Sequence, residues 1–354
     1  MSDPSAPSWT IPAWPQFGLA ADVRPALARA MAAQRPCVMV SLFAVEGAAP
    51  LGEGAQMLFD QGAAAGFLSG GCVEGDVALH ARAALQDGKA RRLIYGRGGP
   101  PDIQLLCGSR IELMLETIGP DDPAAARLLA LGRARAMALW LSDGAKRVCL
   151  AEGEGDRQVP PALRPALTRA RERAAPAGGA GQAIYRRHAP AHRLVVVGGD
   201  PITLAIARLA SDAGFDTALV RPKGPAEPPP LPGVRYFRSE TAQAFAELGL
   251  DPWTAVAVAT HDIEIDHDAL AQALPSPAGY VGALGSRRRL PERLARLEAQ
   301  GLSTAAISRL KAPIGLNIGA RAPWQIAVSV VAEAIQTLQA QDAQRVWPFA
   351  LEQV

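Results

Sequence analysis

The chain predicts an α/β fold in two parts, a mixed α/β N-terminal domain followed by a domain built on a parallel sheet. Three observations predict it. From Arg193 onward, short runs rich in Val and Ala alternate with helical patterns, as buried parallel strands and their crossover helices do. Before that point, strands follow one another closely, with helices between some of them. Hydrophobic residues fill 49% of the 354 positions against 20% charged, enough for two substantial cores in a globular chain.

In chain order, residues 1–18 read as an irregular arm rich in Pro, Ser and Trp, with Trp9, Trp14 and Phe17 available to pack onto a neighbour. The arm lacks a basic start followed by an apolar core, so no signal peptide is expected. No apolar run reaches the roughly 20 residues that a membrane helix needs, and a cytoplasmic location is expected. Residues 19–120 form the expected N-terminal domain. Asp22 to Ala33 has the amphipathic spacing of a helix with an Asp cap, and Cys37 to Val45 is a buried strand. Gly47-Ala48-Ala49-Pro50-Leu51-Gly52-Glu53-Gly54 is a loop dense in turn residues. Ala55 to Asp60 and Ala64 to Leu68 pair as a hairpin about Gln61-Gly62. Val73, Val77, Ala81 and Ala84 fall at helical spacing. Arg91 to Tyr95 is a strand and Gly96 to Pro101 a glycine loop. Ile111, Leu113, Leu115 and Thr117 alternate with Glu112, Met114 and Glu116, the pattern of a half-buried strand.

Residues 121–190 are a connecting segment of uncertain fold, with helical patterns at Pro123 to Ala134 and Pro160 to Ala174 and strands at Ala136 to Leu141 and Arg147 to Ala151. Residues 191–345 form the C-terminal domain. Leu194 to Val197, Asp216 to Val220, Val234 to Phe237, Ala255 to Ala259 and Gly279 to Ala283 are its strands. Arg321 to Gln341 is one long closing helix, whose apolar stretch from Ile326 to Leu338 suits either an interface or the core.

Composition excludes several classes. A net charge of +2 advertises neither nucleic acid nor an anionic membrane. The four cysteines, Cys37, Cys72, Cys107 and Cys149, are widely spaced, without a CxxC pair, so neither a zinc module nor a secreted disulfide framework is expected.

The most informative stretch is Leu68-Ser69-Gly70-Gly71-Cys72-Val73-Glu74, between a strand and a helix. Paired glycines let the backbone turn sharply and come close to a ligand. They set Cys72 near the first helical turn, where free N–H groups and the positive dipole end favour a thiolate. Such a cysteine could bind a soft metal, carry sulfur or attack an electrophile; a tight turn around a small buried thiol accounts for the stretch equally well.

Val195-Val196-Val197-Gly198-Gly199-Asp200-Pro201-Ile202-Thr203 stands where a dinucleotide fingerprint belongs, after the first strand and opening a helix. That fingerprint needs glycine at its second fixed position so that backbone can approach a pyrophosphate. Here the position is Asp200, the third is Thr203, and Arg221 stands where an acidic residue would hold a ribose. The domain therefore reads as Rossmann-like with a degraded nucleotide site, which disfavours NAD(P) and leaves an NAD(P)-dependent oxidoreductase as the alternative reading. Other anion signals survive. Gly285, Ser286, Arg287, Arg288 and Arg289 put glycine, a hydroxyl and three guanidinium forks at a strand-to-helix junction, suited to phosphate or simply to a solvated helix start. His261 lies at the carboxyl end of a strand, where open α/β sheets bind ligands.

These motifs together resemble the XdhC/CoxI family, the accessory proteins of xanthine dehydrogenase and related molybdenum hydroxylases. The resemblance rests on Gly66-Phe67-Leu68-Ser69-Gly70-Gly71-Cys72-Val73-Glu74, Cys107-Gly108, Thr260-His261-Asp262, Gly282-Ala283-Leu284-Gly285-Ser286-Arg287-Arg288 and Pro313-Ile314-Gly315-Leu316, in this order. It implies an XdhC-type N-terminal domain and a non-enzyme. Such a protein would bind molybdenum cofactor, as molybdopterin or its cytosine dinucleotide, assist its sulfuration by a cysteine desulfurase and hand it to a molybdenum hydroxylase apo-enzyme; a homodimer is also implied. Cys72 would lie at the molybdenum or its dithiolene, with Gly70, Gly71 and Glu74 around it and Cys107 as a second thiol. Gly198, His261, Gly285, Ser286, Arg287 and Arg288 would hold the phosphate or nucleotide end. The chain departs from the family at Ser109, Asp200 and Arg221, and at Asn317, where the family has Asp.

Overall fold

The computed structural model of the chain describes residues 14–345 apart from 62, 104, 106 and 155. The proposed packing of Trp9 and the turn residue Gly62 lie outside the described residues. The chain divides into two compact units, which meet in sequence between Pro190 and Ala191.

The first unit starts with α1 (Arg24–Ala32), β1 (Cys37–Glu46), β2 (Gln56–Asp60), β3 (Ala63–Gly66), α2 (Glu74–Asp87), β4 (Arg91–Gly96) and β5 (Arg110–Ile118). Their five strands make an antiparallel sheet in the order β3-β2-β1-β5-β4. Side chains alternate between the two faces of β1, and both faces are covered. Val38, Val40 and Leu42 pack with Val77, Ala81 and Ala84 of α2. Cys37 and Met39 pack with Leu27 of α1. Each large apolar side chain buried this way contributes about 1.5–3 kcal/mol. Phe17 packs against the α2-side core of its own unit, while Trp14 is exposed.

Residues 121–190 add α3 (Pro123–Arg133), β6 (Ala138–Ser142), β7 (Arg147–Ala151), α4 (Arg164–Glu172), β8 (Ala177–Ala180) and β9 (Ala183–His188). Their strands form a second antiparallel sheet, β7-β6-β9-β8. This sheet explains why β5 is not half-buried, as its alternation predicts. Met114 packs with Phe43 and Ile184. Glu116 is fully buried and accepts hydrogen bonds from Trp140 Nε1 (3.0 Å), Ser142 Oγ (2.6 Å) and Arg147 Nε (3.0 Å). The polar-looking face of β5 is thus an interior face. Burial pushes the Glu116 carboxyl up, against the pull of Arg147, Ser142 and Trp140.

The second unit runs through β10 (Arg193–Val197), α5 (Pro201–Asp212), β11 (Asp216–Val220), β12 (Val234–Phe237), α6 (Thr241–Leu248), β13 (Thr254–Val258), α7 (Ile263–Ala273), β14 (Tyr280–Ala283), α8 (Leu290–Ala299), α9 (Thr304–Ile307), β15 (Leu310–Lys311) and α10 (Pro323–Gln344). All its strand pairs are parallel, in the order β12-β11-β10-β13-β14-β15. Alternate residues of each strand face opposite helix layers: Val195 and Val197 pack with α6 and α7, and Leu194 and Val196 with α5 and α10. Burial on both faces is why these strands read as unbroken apolar runs. In α10, Ala327, Val330, Val331, Ala334 and Leu338 belong to this core, whereas Trp324, Val328 and Ile335 are exposed. The strand order reverses between β10 and β13, which makes the carboxyl ends of those strands the crevice where open α/β sheets take ligands.

Candidate functional site

The loop after β3 is wrapped around a carboxylate. Glu74 is the first residue of α2, yet its side chain turns back and is only 1% exposed. One oxygen accepts the N–H groups of Leu68 (3.1 Å) and Ser69 (2.7 Å). The other accepts the Ser69 hydroxyl (2.8 Å) and the N–H groups of Gly71 (3.0 Å) and Val73 (3.2 Å). Drawing so many N–H groups toward one point demands a tight reversal, and Gly70 and Gly71 supply it with φ of +99° each, a region costly for residues with a Cβ. Burial pushes the Glu74 carboxyl up, but the Ser69 and Leu68 hydrogen bonds more than offset it, so it stays below its ordinary value. Glu74 is expected from the sequence as a ligand-contacting residue, but its carboxylate is used up by the loop; its part is to shape the loop.

Cys72 stands exposed at the end of that loop, just before the N-cap Val73. Cys107 is exposed on the loop before β5, with its Sγ 2.9 Å from the Ser109 Oγ. The Ser109 hydroxyl holds the Cys107 thiol below its ordinary value. The Gly47–Gly54 loop borders both cysteine loops. A Cβ on Gly47 would lie 3.4 Å from the Ser109 Cα, and one on Gly70 would lie 3.7 Å from the Pro50 Cγ. Cys37 and Cys149 are different: both are buried, and burial pushes their thiols up to about 12. The thiolate is the nucleophile and the metal ligand, so reactivity belongs to the exposed pair. Brief iodoacetamide treatment of the native chain at pH 8 should therefore label Cys72 and Cys107 and leave Cys37 and Cys149 unmodified, as read by peptide mass spectrometry.

In the second unit, a cleft of about 710 Å³ opens at the strand-order reversal, lined by Gly198, Gly199, Asp200, Arg221 and the segment from Ala259 to Ile265. Gly198 has φ of +146°, and a Cβ there would meet the Ala259 carbonyl oxygen at 2.6 Å. The helix N-terminus on which a pyrophosphate would sit is capped by a protein carboxylate. Asp200 caps α5, accepting the Thr203 N–H (2.8 Å) and hydroxyl (2.9 Å), and its second oxygen is 3.1 Å from His261 Nε2. Arg221 lies over Gly199, where a Cβ would fall 2.4 Å from its Nε. A carboxylate on the helix N-terminus takes an N–H group that a phosphate there would need and repels the phosphate's charge. Titration with NADH or NADPH should show no saturable fluorescence change at micromolar nucleotide; micromolar binding would overturn this assignment of the cleft.

A smaller cavity of about 320 Å³ lies one strand further along, between α7 and α8. His261, Gly285, Ser286 and Arg289, singled out in the sequence, line it, as do Asp266, His267 and Arg293, which were not. Arg287, Arg288 and Arg289 are all exposed; Arg287 and Arg288 border neither cavity, whereas Arg289 and the half-buried Arg293, one turn apart, border the smaller one. That i, i+4 spacing was the available signal. Asp266 accepts from the Thr260 hydroxyl (2.7 Å) and Arg293 (2.9 Å), and Arg293 also donates to the Leu284 carbonyl. Burial pushes the Asp266 carboxyl up, opposed by the Thr260 hydrogen bond and Arg293. The Pro313-Ile314-Gly315 turn is tied down by Glu333, which accepts the Gly315 N–H (2.8 Å) and the Tyr280 hydroxyl (2.6 Å). The structure thus collects Gly70, Gly71, Cys72 and Cys107 around one loop of the first unit, and Gly198, His261, Gly285 and Ser286 along one sheet edge of the second.

Known proteins share both halves. Residues 194–334 match the XdhC Rossmann domain, and residues 30–96 match the XdhC and CoxI family. The chain is 30% identical over 307 residues, 86% of its length and 84% of the relative's, to the molybdenum cofactor insertion chaperone PaoD of Escherichia coli. It is 31% identical over 156 residues, 44% of its length, to a probable xanthine dehydrogenase component of Bacillus subtilis. It is 35% identical over 162 residues, 45% of its length, to the uncharacterized protein YqeB of Escherichia coli. These two matches span 45% and 30% of the respective relatives. The crystal structure of a xanthine dehydrogenase from Bacillus halodurans shares the fold, with a TM-score of 0.70 over 90% of this chain and 96% of that one at 24% identity. No helix among the described residues is long and apolar enough to cross a membrane. With its two matched regions and a 30% identical relative covered over most of its length, the chain belongs to the XdhC and CoxI family.

Proposed function

We propose that the chain is a carrier rather than an enzyme: it binds molybdenum cofactor, protects it, and delivers it to the apo form of a molybdenum hydroxylase. The observation that carries this reading is the pair of exposed thiols, Cys72 and Cys107, on two loops that border the same glycine-rich turn. Thiolates are soft donors that suit molybdenum and sulfur chemistry. Cys72, presented by a loop that Glu74 holds in shape, is the donor to the metal or its dithiolene. Cys107 is the second thiol, positioned to take part when a cysteine desulfurase supplies the sulfido ligand. Gly285 and Ser286, on the smaller cavity, offer a polar sheet edge to the phosphate end of the cargo, as molybdopterin or its cytosine dinucleotide, while Gly198 and His261 border the cleft whose helix N-terminus Asp200 caps. A cytoplasmic homodimer is part of the same proposal.

The name of the PaoD relative supports this reading. So does the Asp200 carboxylate that caps the helix N-terminus of the nucleotide cleft, which speaks against an NAD(P)-dependent oxidoreductase. The test is retention. Purified chain mixed anaerobically with molybdopterin released from a molybdoenzyme, then passed through a desalting column, should keep about one pterin per chain. The pterin is read by its fluorescent oxidation product. A protein fraction free of pterin would refute the carrier role.

A further inference from the structure

The long closing helix carries a face that its own core does not use. Ala327, Val330, Val331, Ala334 and Leu338 are buried, yet Trp324 is 57% exposed and Val328 49%, and Ile335 is exposed as well. Ile318 is also exposed, on a loop tied to the same helix by the Leu316 N–H, which donates to the Ser329 carbonyl (3.1 Å). These are four of the eight large apolar side chains exposed among the described residues, a concentration that marks a patch rather than scatter. An apolar groove of about 650 Å³ adjoins them, walled by Leu204, Leu231, Pro323 and Trp324. Its two charged residues, Arg208 and Asp212, meet each other at 2.7 Å.

Charge decides what covers this face. A surface helix ordinarily carries charged residues on the side away from the core. From Pro323 to Gln341 the only charge is Glu333, and its carboxylate already accepts the Gly315 N–H and the Tyr280 hydroxyl. The polar residues exposed along that stretch are Gln325, Gln336 and Gln339, whose amides both donate and accept. A two-fold interface sets a surface against its own copy, so a charge near the axis meets its like, whereas amides and apolar groups suit themselves. A different partner would impose no such constraint. Direction follows from the helix end. Exposed Arg321 stands at the positive end of its own helix, where a cation is unfavourable. An antiparallel copy brings a negative helix end to it; a parallel copy brings a second Arg321. The 22 residues of α10 make a strip about 33 Å long and about 10–12 Å wide, roughly 350 Å². The groove and Ile318 widen it toward the ~800 Å² per partner that stable interfaces bury.

We propose that α10 is the interface of a homodimer. Two copies pack antiparallel about a two-fold axis at Ala332, with Val328 of one copy on Ile335 of the other and each Trp324 over the far end of its neighbour's helix. The inference rests on the carrier reading only for the homodimer, to which it gives a surface, and not for the cargo.

Sedimentation velocity of the full chain at micromolar concentration should show a dimer, and a monomer would overturn the interface. Val328→Lys and Ile335→Glu, each alone, should weaken the dimer at least hundredfold, because each sets an unpaired charge in an apolar seam. Combined in one chain they should restore it, since the new charges are opposite and face each other across the axis. Both positions are exposed, and an unchanged urea midpoint shows that each variant is folded. A dimer left intact by both single variants would remove this surface, and a combined variant that stays monomeric would remove the antiparallel pairing. Pterin retention is read on the same samples. A wild-type monomer that retains pterin loses the interface and keeps the carrier; a dimer disrupted and restored as expected that retains none keeps the interface and loses the carrier.

Discussion

Glu74→Gln should destabilise the first unit by about 2–4 kcal/mol at pH 7, although it removes no volume and no apolar contact. The carboxylate accepts two N–H groups on one oxygen and two N–H groups and a hydroxyl on the other. A glutamine presents one oxygen and one NH₂ group. Whichever way it turns, at least two donors face another donor instead of an acceptor. Ser69 and Val73 are buried, so water does not replace what they lose. The pH dependence separates this from ordinary packing loss. The folded carboxyl lies below its ordinary value of 4.5. A depressed acid contributes stability that is present in full above its unfolded value and lost as pH falls through the folded one. The gap in urea midpoint between wild type and Glu74→Gln should therefore be constant from pH 8 to about 5 and shrink in more acid solution. A gap that stayed the same down to pH 3 would mean that the charge of Glu74 is not what holds the loop.

How much of this was readable in advance depends on which side of a strand had to be known. The parallel sheet of the second unit was legible, because burial on both faces leaves uninterrupted runs such as Leu194 to Val197. Asp200 was legible too, since one residue type at one fingerprint position decides whether a phosphate or a carboxylate meets the helix. The first unit was harder. Glu112, Met114 and Glu116 look like a solvent face, and only the second sheet, drawn from residues 138–188, turns Met114 and Glu116 inward. Nothing local announces a partner sheet that arrives so much later in the chain. Glu74 was misjudged for a related reason: an acidic residue beside a cysteine reads as chemistry, while its geometry makes it the loop's internal anchor. In the run Arg287-Arg288-Arg289, composition marked the cluster, but only the turn into α8 decides which of these exposed arginines borders a cavity.

Cys72→Ala should lower molybdopterin retention at least tenfold, a loss of about 1.4 kcal/mol or more of binding free energy. Stability should hardly change, because Cys72 is exposed and surface substitutions of this kind usually fall within about 0.5 kcal/mol. That separation matters: a drop in retention with an unchanged unfolding curve isolates the sulfur atom from the loop that presents it. Glu74→Gln should do the reverse, losing stability first and retention as a consequence. Cys107→Ala tests the second thiol. Its hydrogen bond to Ser109 favours the thiolate, but among the described residues its loop, unlike that of Cys72, is not wrapped around an internal carboxylate, so a loss of two- to fivefold is expected. Each variant is loaded anaerobically, desalted and assayed for pterin fluorescence beside wild type. Equal retention by Cys72→Ala would sink the thiol as the holding group. Persulfide on Cys72 after incubation with a cysteine desulfurase and cysteine would then become the decisive measurement, because a sulfur relay requires that bond to form on this residue and a pure structural turn does not.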